Sequence, residues 1–96
     1  MNEPFQVKPA TVSPQYATYT YDLGIHGIFT FDFHVPGVTP SSVVMVSMAE
    51  LSRSSPFVGD AVMTVHGVAP GNDVVRVKGE VSWDSDLSTR LYFLVA

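Results

Sequence analysis

Apolar and polar side chains alternate strictly along residues 27–35. Successive side chains of a β-strand point to opposite sides, so this pattern predicts a strand with one buried face and one solvated face. The buried face of the predicted strand consists of large apolar residues, and the solvated face is polar: Phe29, Phe31, Phe33 and Val35 against Thr30, Asp32 and His34.

Similar strand patterns recur along the chain, with turn signals between them. Residues 43–48 form a nearly continuous apolar run, which predicts a central strand that is covered on both faces. Along residues 74–81, Val75, Val77, Gly79 and Val81 share one side, whereas Arg76, Lys78 and Glu80 occupy the other. Aromatic and β-branched residues predict the remaining strands, at residues 16–23, 57–67 and 89–95.

Residues 49–56 are the one segment with helical potential. The segment is too short to form a stable helix alone and Pro56 ends it, so we expect a loop with one helical turn at most. Several short strands joined by turns, without a long helical period, predict an all-β fold. The expected architecture is a single-domain antiparallel β-sandwich, jelly-roll or immunoglobulin-like, over residues 15–96.

The first fourteen residues form a separate segment with prolines at positions 4, 9 and 14. Proline fixes φ and lacks a backbone N–H, so residues 1–14 are expected to be extended and largely unpaired with a sheet interior. One interpretation is a frayed tail, and the other is an extended N-terminal arm that lies on a neighbouring subunit. The arm interpretation accounts for three apolar side chains that a disordered tail does not need: Phe5, Val7 and Val12.

The chain is poor in charge, because charged residues make up 15% of the sequence where about 25% is usual. A soluble protein of this kind is expected to cover part of its surface by oligomerising or by docking on a larger assembly. The net charge is −4 and the five basic residues are scattered, which argues against nucleic acid as a partner. The chain has no apolar run long enough for a membrane span and no signal-peptide pattern, so folding in a cytoplasm is expected.

The reactive side chains do not form a pattern that predicts an enzyme. The absence of cysteine excludes disulfides and thiolate metal sites, and the three histidines lie in different segments without a short ligand pair. Asp84 and Asp86 lack the glycine and glutamate of an EF-hand, and Asp22 and Asp32 imply no pocket for acid–base chemistry. We therefore expect no catalytic residues, no cofactor and no metal.

Four segments within residues 29–96 follow one another in a pattern of strands and turns: VPGVTPSSVVMV (35–46), AVMTV (61–65), DVVRV (73–77) and LYFLV (91–95). In these segments the chain resembles small structural proteins and fibre-terminal modules of tailed bacteriophages. The resemblance implies a β-sandwich in the virion, synthesised in the host cytoplasm. The first role that it implies is a capsid decoration (cement) protein on the capsid surface, which docks on the head shell and stabilises it. The alternative role is the tip domain of a tail fibre, which binds a receptor or glycan on the host surface.

For the decoration role, the implied partners are the major capsid protein and copies of the chain itself, as a homotrimer. We expect the contacts to come from the arm and from the tyrosines at its base: Phe5, Val7, Val12, Tyr16, Tyr19 and Tyr21. For the three tyrosines, packing in the core of the first strand is an equally good interpretation. For the fibre-tip role, the same tyrosines together with Trp83 are candidates for a sugar-stacking surface.

Overall fold

The computed structural model describes residues 3–96, which contain strands, turns and loops and no helix. The strands are β1 (Phe5–Gln6), β2 (Lys8–Val12), β3 (Ala17–Ile25), β4 (Gly27–His34), β5 (Val44–Ser52), β6 (Ser55–Phe57), β7 (Val62–Pro70), β8 (Val74–Ser82) and β9 (Leu87–Val95). They form two sheets that pack face to face. The predicted all-β sandwich is confirmed.

The two sheets differ in size and are linked by short connections. One has four strands in the order β1-β4-β8-β7, and the other has five in the order β2-β3-β9-β5-β6. All neighbouring strands are antiparallel except β1 and β4, which run parallel. The chain passes from β3 in one sheet to β4 in the other through His26 and Gly27, and the positive φ of Gly27 (77°) suits a residue without a Cβ.

The core lies between the sheets. It consists of the alternate residues of each long strand whose side chains point inward. The alternation along residues 27–35 is confirmed, because Phe29, Phe33 and Val35 are buried and Phe31 is half-buried. Aromatic rings pack closely there, with the centroids of Phe33 and Phe93 5.0 Å apart across the two sheets. The buried apolar residues are Ile25, Phe29, Phe33, Val35, Val38, Val75, Val77, Val81, Leu91 and Phe93.

Gly79 occupies an inward position of β8 where no side chain fits. A Cβ built on Gly79 would lie 2.8 Å from Cζ of Phe29 and 2.9 Å from the carbonyl oxygen of Thr64. The ring of Phe29 therefore fills the space beside the glycine backbone. Close approach of a neighbouring group is one of the ordinary reasons for glycine inside a strand.

The expected loop at residues 49–56 is wrong. Strand β5 continues to Ser52 and forms a hairpin with β6, in which Ser52 pairs with Ser55. The turn residues Arg53 and Ser54 have φ values of 51° and 68°. Two-residue turns with positive φ match the twist of a hairpin, but they normally contain glycine or asparagine, so this sequence gave no turn signal. Pairing of β5 with β9 and β6 keeps the segment extended.

The expected coverage of residues 43–48 on both faces is also wrong. Val44, Val46 and Met48 pack against the core, whereas Val43 and Met45 point away from it and are 62% and 64% exposed. Strand β5 belongs to one of the two sheets of the sandwich, so only one of its faces lies against the other sheet. Within residues 3–96 no element covers its outward face. The apolar run therefore has one buried and one exposed face.

Residues 5–12 are extended and lie at the edges of both sheets. Strand β1 pairs with the end of β4, and β2 pairs with β3 with a bulge between Pro9 and Thr11. The half-buried residue Val7 joins the two strands and contacts the core. Contact of this segment with a neighbouring subunit stays a prediction.

Candidate docking surface

The outward side of the five-stranded sheet carries two adjacent rows of uncharged residues. Because β3 and β5 both pair with β9, side chains of the three strands stand in register across the sheet. A shallow depression of about 480 Å³ lies over these rows. We call this surface the uncharged face and define it by its two rows: Thr18, Leu94 and Met45 in one, and Thr20, Tyr92 and Ser47 in the other.

An ion pair ends the uncharged face on one side. In the next row, the guanidinium of Arg90 donates from Nε and Nη2 to the two carboxylate oxygens of Asp22, at 2.7 and 2.9 Å. These hydrogen bonds hold the pKa of Asp22 below its usual value, and the same contact raises the pKa of Arg90. On the other side of the face, Val43 pairs with Ala96 through two backbone hydrogen bonds and extends the apolar surface.

The outward side of the four-stranded sheet carries charged residues along β8, together with the exposed apolar residues Ile28 and Val62. Arg76 donates to both carboxylate oxygens of Asp32, at 2.7 and 3.0 Å, and these hydrogen bonds lower the pKa of Asp32. Lys78 and Glu80 follow at alternate positions of β8, and Nε2 of His66 lies 3.8 Å from Oε1 of Glu80. Charged side chains favour solvent, so this sheet is the one suited to remain exposed to water.

A second exposed apolar region lies at the end of the sandwich near the β6–β7 connection. Phe57, Val58 and Trp83 are exposed there, with Val58 fully so. A depression of about 340 Å³ is lined by these three residues and by the acidic side chains of Glu50 and Asp60. Aromatic surface beside carboxylates is a combination found in sites that bind polar ligands with an apolar face.

The structure separates the six residues that the sequence assigns to partner contacts. Four of them contact the core: Phe5, Val7, Tyr19 and Tyr21. The rings of Phe5 and Tyr21 stack with centroids 5.1 Å apart, and the ring of Tyr21 lies 5.5 Å from that of Phe33. For Tyr19 and Tyr21 this position is the core packing expected as the alternative interpretation. Partner contact by the six residues stays a prediction.

Val12 and Tyr16 are the two predicted contact residues that remain exposed. Tyr16 precedes β3, at the same end of the sandwich as Val43 and the last residue, Ala96. Trp83 follows β8 at the opposite end, because Val81 pairs with Gly27 there. The structure therefore does not bring Tyr16 and Trp83 together into a single sugar-stacking surface.

The sequence reasoning missed the residues that form the uncharged face. The sequence contains a signal for this face, because residues 43–48 are apolar on both sides of the strand. Val43 and Met45 point to one side, and Val44, Val46 and Met48 point to the other. An apolar strand on both parities is either buried on both faces or buried on one and available to a partner. The sequence predicts the first arrangement, whereas the two-layer sandwich buries β5 on one face and exposes the other.

Residues 3–96 contain no group of three or more histidine, cysteine, aspartate or glutamate side chains placed to hold a metal ion. The same residues form no helix that is long and apolar enough to cross a membrane. Compared with known proteins, the chain matches no protein-family model, no curated protein and no solved structure. The resemblance to phage structural proteins therefore stays a prediction.

Proposed function

We propose that this chain is a virion structural protein of a tailed phage, a capsid decoration protein that docks on the head shell through the uncharged face. The observation that carries the proposal is the contrast between this face and the charged outward side of the other sheet. Interface centres are depleted in charged residues, whereas solvated surfaces retain them. The uncharged face shares with interface centres the absence of charged side chains.

Such a protein would act by adhesion. Apolar surface buried against the shell contributes about 25 cal/mol per Å², reduced by the loss of translational and rotational freedom on binding. Several copies bound across neighbouring capsid subunits increase the effective affinity without a tight single contact. The resemblance implies a homotrimer, but the adhesion described here requires only that several copies bind the same shell.

The test compares matched substitutions on the two outward sides. Leu94→Asp places a charge in the uncharged face, and Ile28→Asp places one on the other sheet, where Ile28 is 66% exposed. We expect Leu94→Asp to lose binding to undecorated heads of the encoding phage, measured by co-sedimentation, and Ile28→Asp to bind like the wild type. Both variants should keep the wild-type circular dichroism spectrum, because both side chains point away from the core.

Equal binding by both variants, or no binding of the wild type to heads, would overturn the proposal. Mass spectrometry of separated heads and tails gives an independent readout. A decoration protein is present in the head fraction in many copies and missing from the tail fraction.

The second candidate function, a fibre tip that binds host glycans, is favoured by the exposed apolar end around Trp83. An indole ring presents a flat apolar surface, and the carboxylates of Glu50 and Asp60 accept hydrogen bonds from hydroxyl groups. For this candidate the purified chain binds host cells, and Trp83→Ala abolishes the binding while Leu94→Asp does not. Absence of cell binding by the wild type would exclude it.

A further inference from the structure

Strand β5 has an open edge. Val43 and Ala96 exchange two backbone hydrogen bonds, so the residues of β5 that bond to β9 are those of odd number up to Ala49. The N–H and C=O groups of Val44, Val46 and Met48 consequently point away from β9. Strand β6 pairs with β5 only from Glu50 to Ser52, and the strand pairings of residues 3–96 give Val44, Val46 and Met48 no partner other than β9. Strand β7 of the other sheet packs close to β5 across the sandwich without pairing with it.

The terminal strands of the two sheets are protected in ways that β5 is not. Strand β2 contains Lys8 and Pro9 and a bulge, and β7 contains a bulge between Val65 and Gly67 and ends at Pro70. Strands β1 and β6 have two and three residues. Short length, proline, lysine and bulges are the features by which natural sheets prevent edge-to-edge pairing.

The open part of β5 has none of these features. Residues 43–49 contain no charged residue, no proline and no glycine, and the pairing of β5 with β9 has no register shift. Strand β4 is also open beyond β1, but its outward side carries the Asp32–Arg76 ion pair. An uncharged edge is suited to pairing with a second copy of itself, because two-fold pairing places identical segments against each other and like charges would repel.

We propose that a second copy of this chain pairs with the first along β5, antiparallel and two-fold, with Val46 opposite Val46 of the other copy. A register centred on Val46 places Val44 opposite Met48, so it uses every N–H and C=O group that the open edge offers. On the outward side, Met45 then lies beside Ser47 of the other copy. The two five-stranded sheets become one continuous sheet, and the two uncharged faces join.

This inference goes beyond the proposed function and does not depend on it, because pairing is measured on the pure protein without any phage particle. It predicts a dimer, with a mass twice that of the 10.4 kDa chain. A closed trimer uses a different contact, since two-fold pairing joins subunits only in twos.

The first test uses two double variants that differ only in the sign of one charge. Met45→Lys with Ser47→Lys places lysine directly opposite lysine across the two-fold axis, and Met45→Lys with Ser47→Glu places lysine opposite glutamate. Both variants change the same outward side chains, so their effects on folding and on the apolar surface are matched. The readout is the mass by sedimentation equilibrium, with thermal unfolding to verify the fold.

We expect the wild type to be a dimer, the Lys/Lys variant a monomer with half that mass, and the Lys/Glu variant a dimer. A monomeric wild type would overturn the proposal. So would a trimer, or a dimer in which the Lys/Lys and Lys/Glu variants keep the same mass.

The second test measures the register with cysteine, which the natural chain lacks. Met45→Cys protein mixed with Ser47→Cys protein is expected to form a disulfide-linked heterodimer, because positions 45 and 47 face each other in a closely spaced, non-hydrogen-bonded pair. Thr30→Cys, on the outward side of the other sheet, is the control for random oxidation. Met45→Cys protein that cross-links with itself as efficiently as the mixture would overturn the register centred on Val46.

Discussion

The two outward sides of the sandwich are built by the same alternation but differ in their central rows, which are charged on the four-stranded sheet and uncharged on the five-stranded sheet. On the four-stranded sheet, β8 presents Arg76, Lys78 and Glu80 to solvent. On the five-stranded sheet, Tyr92 and Leu94 of β9 point outward between threonine, serine and methionine side chains. Each of the two outward sides contains one bidentate arginine–aspartate pair, so the difference lies in the remaining rows.

The comparison teaches that inward-pointing residues indicate the fold. Outward-pointing residues indicate whether a surface is suited to solvent or to contact with another molecule. Apolar residues on the inward parity of β4, β8 and β9 are required for any sandwich of this size. Apolar residues on the outward parity of β5 and β9 contribute little to the core, so their presence needs a different explanation. The proposed docking on a shell and the proposed pairing along β5 would both supply this explanation.

The largest effect is expected from neighbouring residues of β9 that point to opposite sides. Phe93→Ala removes a buried ring and should lower the free energy of unfolding by about 3–5 kcal/mol. Leu94→Ala removes an outward side chain that is 38% exposed and should cost less than about 1 kcal/mol in the monomer. Denaturant unfolding measures both, and similar losses in the two variants would contradict the assignment of an inward and an outward side.

Gly79→Ala should have the next largest effect. The added Cβ would meet the ring of Phe29 and the backbone oxygen of Thr64 at less than 3 Å, and only the ring can move. We expect a loss of about 1–3 kcal/mol in the free energy of unfolding. Gly67→Ala is a matched control in the neighbouring strand, because nothing lies within 4 Å of a Cβ there. Equal stability of the two variants would show that the approach of Phe29 is not tight.

A smaller, stabilising effect is expected at the β5–β6 turn. Arg53 and Ser54 both have positive φ, which L-amino acids with a Cβ adopt at a cost of about 1–2 kcal/mol. Replacing them by Asn-Gly should raise the free energy of unfolding by about 0.5–1 kcal/mol. The dimer mass should not change, because the turn lies beyond the open part of β5. A loss of stability would contradict the turn geometry.

The smallest expected effect is a pH dependence of stability. It arises on both outward sides, from Asp22 on one and Asp32 on the other. Asp22 has a lowered pKa, so its ionised form stabilises the fold above its unfolded pKa of about 4, and that stabilisation is lost as the pH falls through the lower folded pKa. Asp22→Asn should therefore melt below the wild type at neutral pH, with a difference that narrows in acid and in high salt. Asp32→Asn should behave alike. A difference that grows in acid would contradict the sign.

The sequence was sufficient to predict the sandwich and most of the core. Alternation made the inward side of residues 29–35 and 75–81 readable, because successive side chains of a strand point to opposite sides and only one side is consistently apolar. The sequence did not allow the β5–β6 hairpin to be predicted, because Arg53 and Ser54 are not typical turn residues. It also did not allow the exposed side of β5 to be predicted. An apolar run along a strand does not indicate what covers the strand's second face. That face can be buried under another layer of the same chain or can contact a different molecule.

The most direct test of the central claim is amide hydrogen exchange along β5, followed by NMR as the protein concentration is raised. The amides of Met45 and Ser47 bond to β9 and should be protected at every concentration. The amides of Val44, Val46 and Met48 should exchange rapidly in dilute protein and in the Lys/Lys variant, and become protected as the wild type pairs. Rapid exchange of these three amides at all concentrations would contradict the account.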